Sequence, residues 1–371
     1  MIEWIVIGGI VIAMYLILNK YERRMERMQK IIDAHDEKID KNLDKINDTV
    51  TYLSEIIDKF VSITGIQERK YASEKLNSSD LATKAANDAI NDSKIDPETL
   101  DYIIFAHNFG DISCNSKQVD NLPALATKVK RNLNIKNPKC IGYDILFGCP
   151  GWIEGVIQAK SFIQSNMANK CLIIGSETLS RVTDLNDRDA MIYADGAGAV
   201  VLEGDNSESG GILSHSSASY TSEGENEFIY YGIGNKIDTD NNSNSDKFLK
   251  MNGRKVYEFA LKNVPIAMKD CFDESKQNIS SLKKIFIHQA NQKMDEAIIN
   301  RFYKLYKTTP PDDVLPMNIQ EYGNSSVATI PTLFDIVRKE NYKGHKISKG
   351  DVIMFASVGA GMNVNAITYQ V

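Results

Sequence analysis

The sequence predicts an α/β fold preceded by a helical N-terminal extension, and three observations carry that reading. Past Thr64-Gly65, short apolar runs rich in Ile, Val and Phe alternate with segments whose apolar residues fall at helical spacing. Strands alternating with helices call for largely parallel sheets covered on both faces. Ahead of Thr64 the pattern changes to an uncharged apolar run followed by a seven-residue apolar period. The 371 residues are 43% apolar and 25% charged, enough to bury one large duplicated core or two domains.

The first element is the run Trp4–Leu18, about fifteen residues, a little short of the roughly twenty that cross a bilayer. Trp4 and Tyr15 suit the two interfaces, and Lys20, Arg23, Arg24 and Arg27 follow directly. By the positive-inside rule this predicts a membrane anchor over residues 1–20 with the rest of the chain in the cytoplasm. A buried strand or helix of the globular fold is the alternative. A cleaved signal is disfavoured, because no basic segment precedes the run.

From Met25, apolar residues recur at Ile32, Ile39, Ile46, Leu53 and Phe60, which predicts a long helix over residues 21–61. The companion seam is interrupted by His35, Asn42 and Thr49, while Leu43, Val50 and Ile57 offer a shifted stripe. A loosely paired stalk and a surface helix both fit this pattern.

Strands are then predicted at Tyr102–Ala106, Cys171–Gly175, Ala197–Leu202, Ile285–His288 and Val352–Ser357. Helices are predicted at Ser79–Asp92, Pro123–Leu133, Gly151–Ser165, Gly253–Asp273 and Lys293–Lys304. The polar stretch Glu203–Lys247 reads as an excursion joining two halves, 62–205 and 206–371. Inside it, Asp238-Thr239-Asp240-Asn241-Asn242 begins like a calcium loop, but Ser243 stands where the turn needs glycine and Leu249 where the bidentate glutamate belongs. Gly196-Ala197-Gly198 precedes a strand instead of opening a helix, so it reads as a tight turn and not as a dinucleotide fingerprint.

Composition narrows the function classes. A net charge of −6 without a long basic block argues against a nucleic-acid surface. Five scattered cysteines without C-x-x-C pairing argue against a zinc site or a disulfide framework, and favour a reducing compartment. No motif calls for a metal or a cofactor.

The chemistry gathers around Tyr143–Trp152, Y-D-I-L-F-G-C-P-G-W, where a strand passes into a helix. Cys149 at that junction is the candidate nucleophile: a thiol at a helix N-terminus feels the positive end of the macrodipole, which lowers its pKa. Pro150 suits an early helical position, where its missing N–H costs nothing. His288 ends a strand in H-Q-A-N, at the carboxyl edge where open α/β sheets collect ligands. Asn324 lies on a glycine-containing turn that leads into the helix from Val327. Ser357-Val358-Gly359-Ala360-Gly361 follows the strand at Val352 and leaves backbone N–H groups close to any substrate oxygen. Each segment alone has a plain structural reading, a buried cysteine, a core histidine or a turn asparagine; their combination points to covalent catalysis.

H-Q-A-N, Y-G-N-S-S-V-A-T-I-P, A-D-G-A-G-A-V-V-L, K-M-N-G-R-K-V and I-T-G-I-Q-E-R-K-Y-A resemble segments of the ketoacyl-ACP synthase III family, the thiolase-fold condensing enzymes. The likeness runs from about Asp58 to Val371. It implies a duplicated, five-layered αβαβα thiolase-like fold with residues 62–205 and 206–371 as its halves, and a homodimer whose interface shapes the acyl pocket. It also implies a Cys-His-Asn triad of Cys149, His288 and Asn324, an oxyanion hole from the N–H groups of Cys149 and Ala360, and an acyl carrier protein or CoA thioester as partner, with Lys293 helping to dock the acidic carrier. The expected chemistry is transfer of an acyl group to Cys149, then decarboxylation of a malonyl thioester to an enolate that attacks the acyl group.

Two differences from the family pattern stand out. Members that use acetyl-CoA carry a tryptophan and an arginine before T-G-I, where this chain has Lys59 and Ile63, and F-G-C-P-G-W replaces the commoner A-C-A-G-F. Both point to a specialised branch. The rival readings are a related thiolase-fold synthase of resorcinol or quinolone type or one that transfers an acyl group without decarboxylation, a papain-type hydrolase, whose signature the G-C-P-G-W context lacks, and an idle membrane-bound scaffold.

Overall fold

The computed structural model describes residues 2–116, 118–205, 210–235 and 246–371, and for 2–13 and 15–17 the helical backbone alone. The chain forms two compact units, Met1–Ser62 and Ile63–Val371. Helix α1, Ile2–Thr64, makes up the first. No proline interrupts it, and Glu37 pairs with Lys41 one turn on at 2.7 Å. It ends where Gly65 takes φ +78°, the left-handed conformation that closes helices. Among the described residues no helix is long and apolar enough to cross a membrane. The expected anchor, Trp4–Leu18, lies almost wholly where side chains fall outside the described residues.

The second unit opens with α2 (Ser78–Ser93), β1 (Tyr102–His107), α3 (Leu125–Asn132), β2 (Ile141–Leu146), α4 (Gly151–Gln164), β3 (Lys170–Thr178) and β4 (Asp195–Glu203). These four strands form a sheet in the order β2-β1-β3-β4, with β1 parallel to β2 and β3, and β4 antiparallel to β3. Next come β5 (Gly211–Ser219), a hairpin of β6 (Ile229–Ile233) and β7 (Lys247–Met251), and then α5 (Gly253–Glu274). The chain continues through β8 (Leu282–Ile287), α6 (Gln292–Leu305), α7 (Ile319–Tyr322), α8 (Thr329–Glu340), β9 (Val352–Gly359) and β10 (Asn363–Gln370). The second sheet runs β5-β10-β9-β8.

The duplication is visible in the pairing. β8 and β9 are parallel and β10 is antiparallel to β9, as β1, β3 and β4 are related in the first sheet. Five layers follow from the cores. Leu125 and Val129 of α3 and Ala82 of α2 cover one face of the first sheet. Trp152 of α4 and Leu333 of α8 pack between the sheets, against Ile173 on one side and Phe355 on the other. Met268 of α5 and Phe302 of α6 cover the outer face of the second sheet. The helices and strands therefore stack as αβαβα.

Three expectations need correcting. The excursion from Glu203 contains β5, β6 and the start of β7, hidden in the sequence because β5 reads Gly-Ile-Leu-Ser-His-Ser-Ser-Ala-Ser. Gly196 and Gly198 lie inside β4 and not in a turn; a Cβ on Gly198 would stand 2.7 Å from the Pro331 side chain, so the glycine lets α8 lie close to the strand. Pro150 caps α4 from outside its first turn instead of occupying it. The calcium-like stretch Asp238–Ser243 lies outside the described residues.

Candidate active site

The loop from β2 to α4 turns at Gly148, φ +69°, and delivers Cys149 just before the helix. A second loop presses against it. A Cβ on Gly359 would sit 2.6 Å from the backbone N of Cys149, and one on Gly148 would sit 2.9 Å from the N of Ala360. Two glycines thus allow the backbones of Cys149 and Ala360 to meet.

Ser326 joins the remaining pieces. Its hydroxyl donates to Cys149 Sγ at 3.3 Å, and its N–H donates to Asn324 Oδ1 at 2.8 Å. Its carbonyl accepts from Thr329 Oγ1 at 3.0 Å, and Thr329 Oγ1 lies 2.7 Å from His288 Nδ1. One residue is therefore linked by hydrogen bonds to all three side chains named from sequence. Its φ of +54° is a conformation that L-residues rarely adopt, and it is held there by bonds on both sides.

Each partner is oriented. The backbone of Asn324 is clamped, with its N–H donating to Ile192 O and its carbonyl accepting from Ala194 N–H. Because Oδ1 takes the Ser326 N–H, the Nδ2 end of the amide is turned away from that bond and is the donor of the group. His288, buried at the end of β8, extends the ladder by donating its N–H to Ala356 O at 2.9 Å. Thr329 Oγ1 has one hydrogen and two acceptors within reach. Donated to Nδ1, it leaves Nε2 protonated and able to donate; donated to Ser326 O, it leaves Nε2 an acceptor.

Behind Ser326 stands a buried carboxyl. Asn108 Nδ2 donates to Ser326 Oγ at 2.9 Å and to Glu177 Oε1 at 2.5 Å, and the Asn108 N–H also donates to Glu177. Burial pushes Glu177 up to about 7, against the lowering effects of His107 and of hydrogen bonds from Asn108 and Phe109.

The thiol does not behave as the sequence predicts. Cys149 keeps part of its surface open to solvent, yet desolvation pushes its pKa up to about 11. The Ser326 hydroxyl and its own N–H lower it, and the Glu177 charge raises it further. Burial outweighs the helix N-terminus, so Cys149 rests as a thiol. Burial also lowers His288 to about 4, which keeps the imidazole neutral.

Lys293 is exposed in the first turn of α6. A cavity of about 480 Å³ at the start of α5 is lined by Arg188, Arg254 and Lys255 together with Phe228 and Asn252. Among the described residues no group of His, Cys, Asp or Glu could hold a metal ion.

Ser326, Thr329, Asn108 and Glu177 have no role in the sequence reading. The first two stand inside Y-G-N-S-S-V-A-T-I-P, where only Asn324 is singled out. Asn108 follows β1 directly and Glu177 lies near the end of β3, at the carboxyl edge of parallel strands, a position that flags ligand-facing residues.

Comparison with known proteins bears on the family and the fold. Residues 143–221 match the family described as 3-oxoacyl-[acyl-carrier-protein (ACP)] synthase III, and residues 272–371 match its C-terminal domain. The beta-ketoacyl-[acyl-carrier-protein] synthase III of Microcystis aeruginosa is 31% identical, over 87% of this chain and 92% of its own length. That of Streptococcus gordonii is 31% identical over 85% and 91%. The crystal structure of 3-oxoacyl-[acyl-carrier-protein] synthase III from Aquifex aeolicus superposes with a TM-score of 0.70 at 28% identity, covering 85% of this chain and 91% of that one. The Thermus thermophilus structure gives 0.70 at 30%, covering 84% and 89%. The fold, the motifs and these relatives agree that the chain belongs to the ketoacyl-ACP synthase III family.

Proposed function

We propose that this chain condenses an acyl thioester with malonyl-ACP through an acyl-Cys149 intermediate. The observation that supports it best is the set of bonds from Ser326 to Cys149, Asn324 and, through Thr329, His288. In the first half-reaction Cys149 Sγ attacks the acyl carbonyl while its proton passes to His288 Nε2, in the tautomer with Nδ1 protonated. The oxyanion is received by the N–H groups of Cys149 and Ala360. When the C–S bond of the donor breaks, the leaving thiolate takes the proton from Nε2 and departs as a thiol.

In the second half-reaction the malonyl thioester loses carbon dioxide and its electron pair moves onto the thioester oxygen. Asn324 Nδ2 and His288 Nε2–H, with the Thr329 hydroxyl turned toward Nδ1, donate to that oxygen. The enolate carbon then attacks the acyl-Cys149 carbonyl and expels the Cys149 thiolate, which takes up a proton from solvent at its partly exposed face. No base is needed to make the carbanion, because decarboxylation supplies it.

Carrier and assembly complete the reading. Arg188, Arg254 and Lys255 around the cavity at α5 suit the phosphates of a carrier arm, whether on ACP or CoA, and Lys293 adds a cation for an acidic carrier. A homodimer fits the open edge of β2, where Ile141 and Leu146 are exposed. The run Trp4–Leu18 and the cations after it support a membrane tether with the condensing unit on the cytoplasmic side.

Separating the half-reactions tests the assignment. Cys149→Ala abolishes acyl-enzyme, read by mass spectrometry, and retains carbon dioxide release from the malonyl thioester. Asn324→Ala retains acylation within about tenfold and loses decarboxylation by about 10²–10³, whereas His288→Ala, which also removes the acceptor of the Cys149 proton, slows acylation by about 10²–10⁴ as well as losing decarboxylation. Equal loss of both half-reactions in every variant refutes the division of roles.

A further inference from the structure

We infer that α1 is one strand of a parallel two-stranded coiled coil with a second copy of this chain. A strict seven-residue reading finds a weak second seam, but the apolar residues follow one continuous seam once a single irregular step is allowed. Leu18, Tyr21, Met25, Met28, Ile32 and His35 advance by alternating steps of three and four. From His35 the seam steps four to Ile39 and four again to Leu43, and then Ile46, Val50, Leu53 and Ile57 resume the alternation. An insertion of this kind is a stutter, which coiled coils absorb by local unwinding. The polar residues Asn42 and Thr49 then fall beside the seam and not in it, leaving His35 as its one polar position.

Within α1 this seam is not packed against any other part of the helix's own unit among the described residues. Its apolar members from Leu18 to Ile57 are each 49–65% exposed. The Glu37–Lys41 pair and the charges at Arg23, Lys30, Asp44 and Asp48 lie off the seam. A helix this long with a bare apolar seam needs a partner along its length, since isolated helical stability comes mainly from packing.

The seam also identifies the partner. A stripe only two positions in seven wide is narrower than the broad apolar face of a helix lying on a lipid surface, and matches knobs-into-holes packing. Ile32, Ile39, Val50 and Ile57 make four of the seven a positions β-branched, and Ile46 is β-branched alone among the five d positions, a balance nearer to the parallel-dimer arrangement than to its reverse, which only the Leu43–Ile46 step shows. His35 at a d position faces its own copy when the two chains are in register, and a single polar layer of this kind fixes register. The inference concerns α1 alone and is independent of the chemistry at Cys149.

Cysteine cross-linking of the full-length chain in mild detergent tests it. Ile46→Cys places a thiol in the seam, and Lys41→Cys places one on the outer face; both positions are exposed, so neither substitution disturbs a core. The unsubstituted chain gives the background of the five native cysteines, and equal iodoacetamide labelling at Cys149 confirms that each variant is folded. Ile46→Cys is expected to give a disulfide dimer at least fivefold above both controls. Equal cross-linking of Lys41→Cys and Ile46→Cys, or none, overturns the proposal. Cross-linking seen only when Met28→Cys and Ile46→Cys chains are mixed overturns it in favour of an antiparallel pair. Native mass measurement of trimers or larger species overturns the two-stranded form.

Discussion

Ser326 and Glu177 act on Cys149 with opposite signs. The Ser326 hydroxyl stabilises the thiolate it touches, and a hydrogen bond to a charged group contributes about 1.5–3 kcal/mol. Ser326→Ala is therefore expected to raise the already high thiol pKa, slowing alkylation by iodoacetamide at least tenfold at pH 8, with circular dichroism unchanged. Ser326→Gly, which also relieves the positive φ, should slow it as much; recovery in the glycine variant would mean that backbone strain and not the hydroxyl sets the reactivity. Glu177→Gln keeps an oxygen for the Asn108 donors and removes the charge that raises Cys149, so its alkylation is expected to be faster than wild type above pH 7.

Two buried groups of the site, His288 and Glu177, each add to the pH dependence of the native state. His288 binds its proton near 4 when folded and near its ordinary 6.5 when unfolded, so its contribution is fully present above 6.5 and is lost as pH falls toward 4. Glu177 is raised to about 7 from an ordinary 4.5, so between those values the native state holds the extra proton and this group's contribution is lost as pH rises through 7. Relative to wild type, Glu177→Gln should therefore gain stability between pH 5 and pH 7.5, measured by urea midpoints. A constant difference would show that Glu177 titrates alike in both states.

At the scale of elements, the clasp between two loops makes a sharp test. A methyl group on Gly359 has no room beside Cys149, because the nearest atoms belong to backbone and Cβ. Gly359→Ala is expected to slow acylation about 100-fold by displacing the oxyanion donors, while overpacking costs about 1–3 kcal/mol of stability and leaves the fold intact. Acylation at the wild-type rate would remove Ala360 from the oxyanion site.

This scale also shows what was legible in the sequence. β1, β3, β8 and β9 are largely buried and carry the apolar runs Ile103–Ala106, Cys171–Ile174, Ile285–Ile287 and Val352–Ala356, and the helices between them keep apolar spacing. β5 and β10 instead carry buried polar residues that bond to specific partners. Ser214 donates to Cys271 O at 2.6 Å, and Asn365 donates to Glu154 at 2.8 Å. Such partners are distant in sequence, so no local pattern announces them. The site divides in the same way: Cys149, His288 and Asn324 stand at recognisable junctions, whereas Ser326 and Glu177 matter only through contacts that the fold creates. The thiol pKa was misread because helix position is local and desolvation is not.

At the scale of the molecule, duplication exposes an asymmetry. β10 is flanked by β5, but β4, its counterpart, has no strand on its outer side among the described residues. The segment ahead of this sheet is α1. The candidate site residues Cys149, His288, Asn324 and Ser326 all lie in Ile63–Val371, where Thr64 is buried and Gln67 and Glu68 are bonded through backbone to Gln320. A chain starting at Val50 keeps those contacts and removes the apolar run, so it is expected to stay in the supernatant, remain folded and form acyl-Cys149 at the full-length rate. The full-length chain is expected to sediment with membranes and to resist extraction by 1 M salt, because apolar insertion is not held by charge that salt screens. If residues before Val50 instead complete the first sheet along β4, the shortened chain will aggregate and the full-length protein will stay in the soluble fraction, which would replace the tether with a structural role.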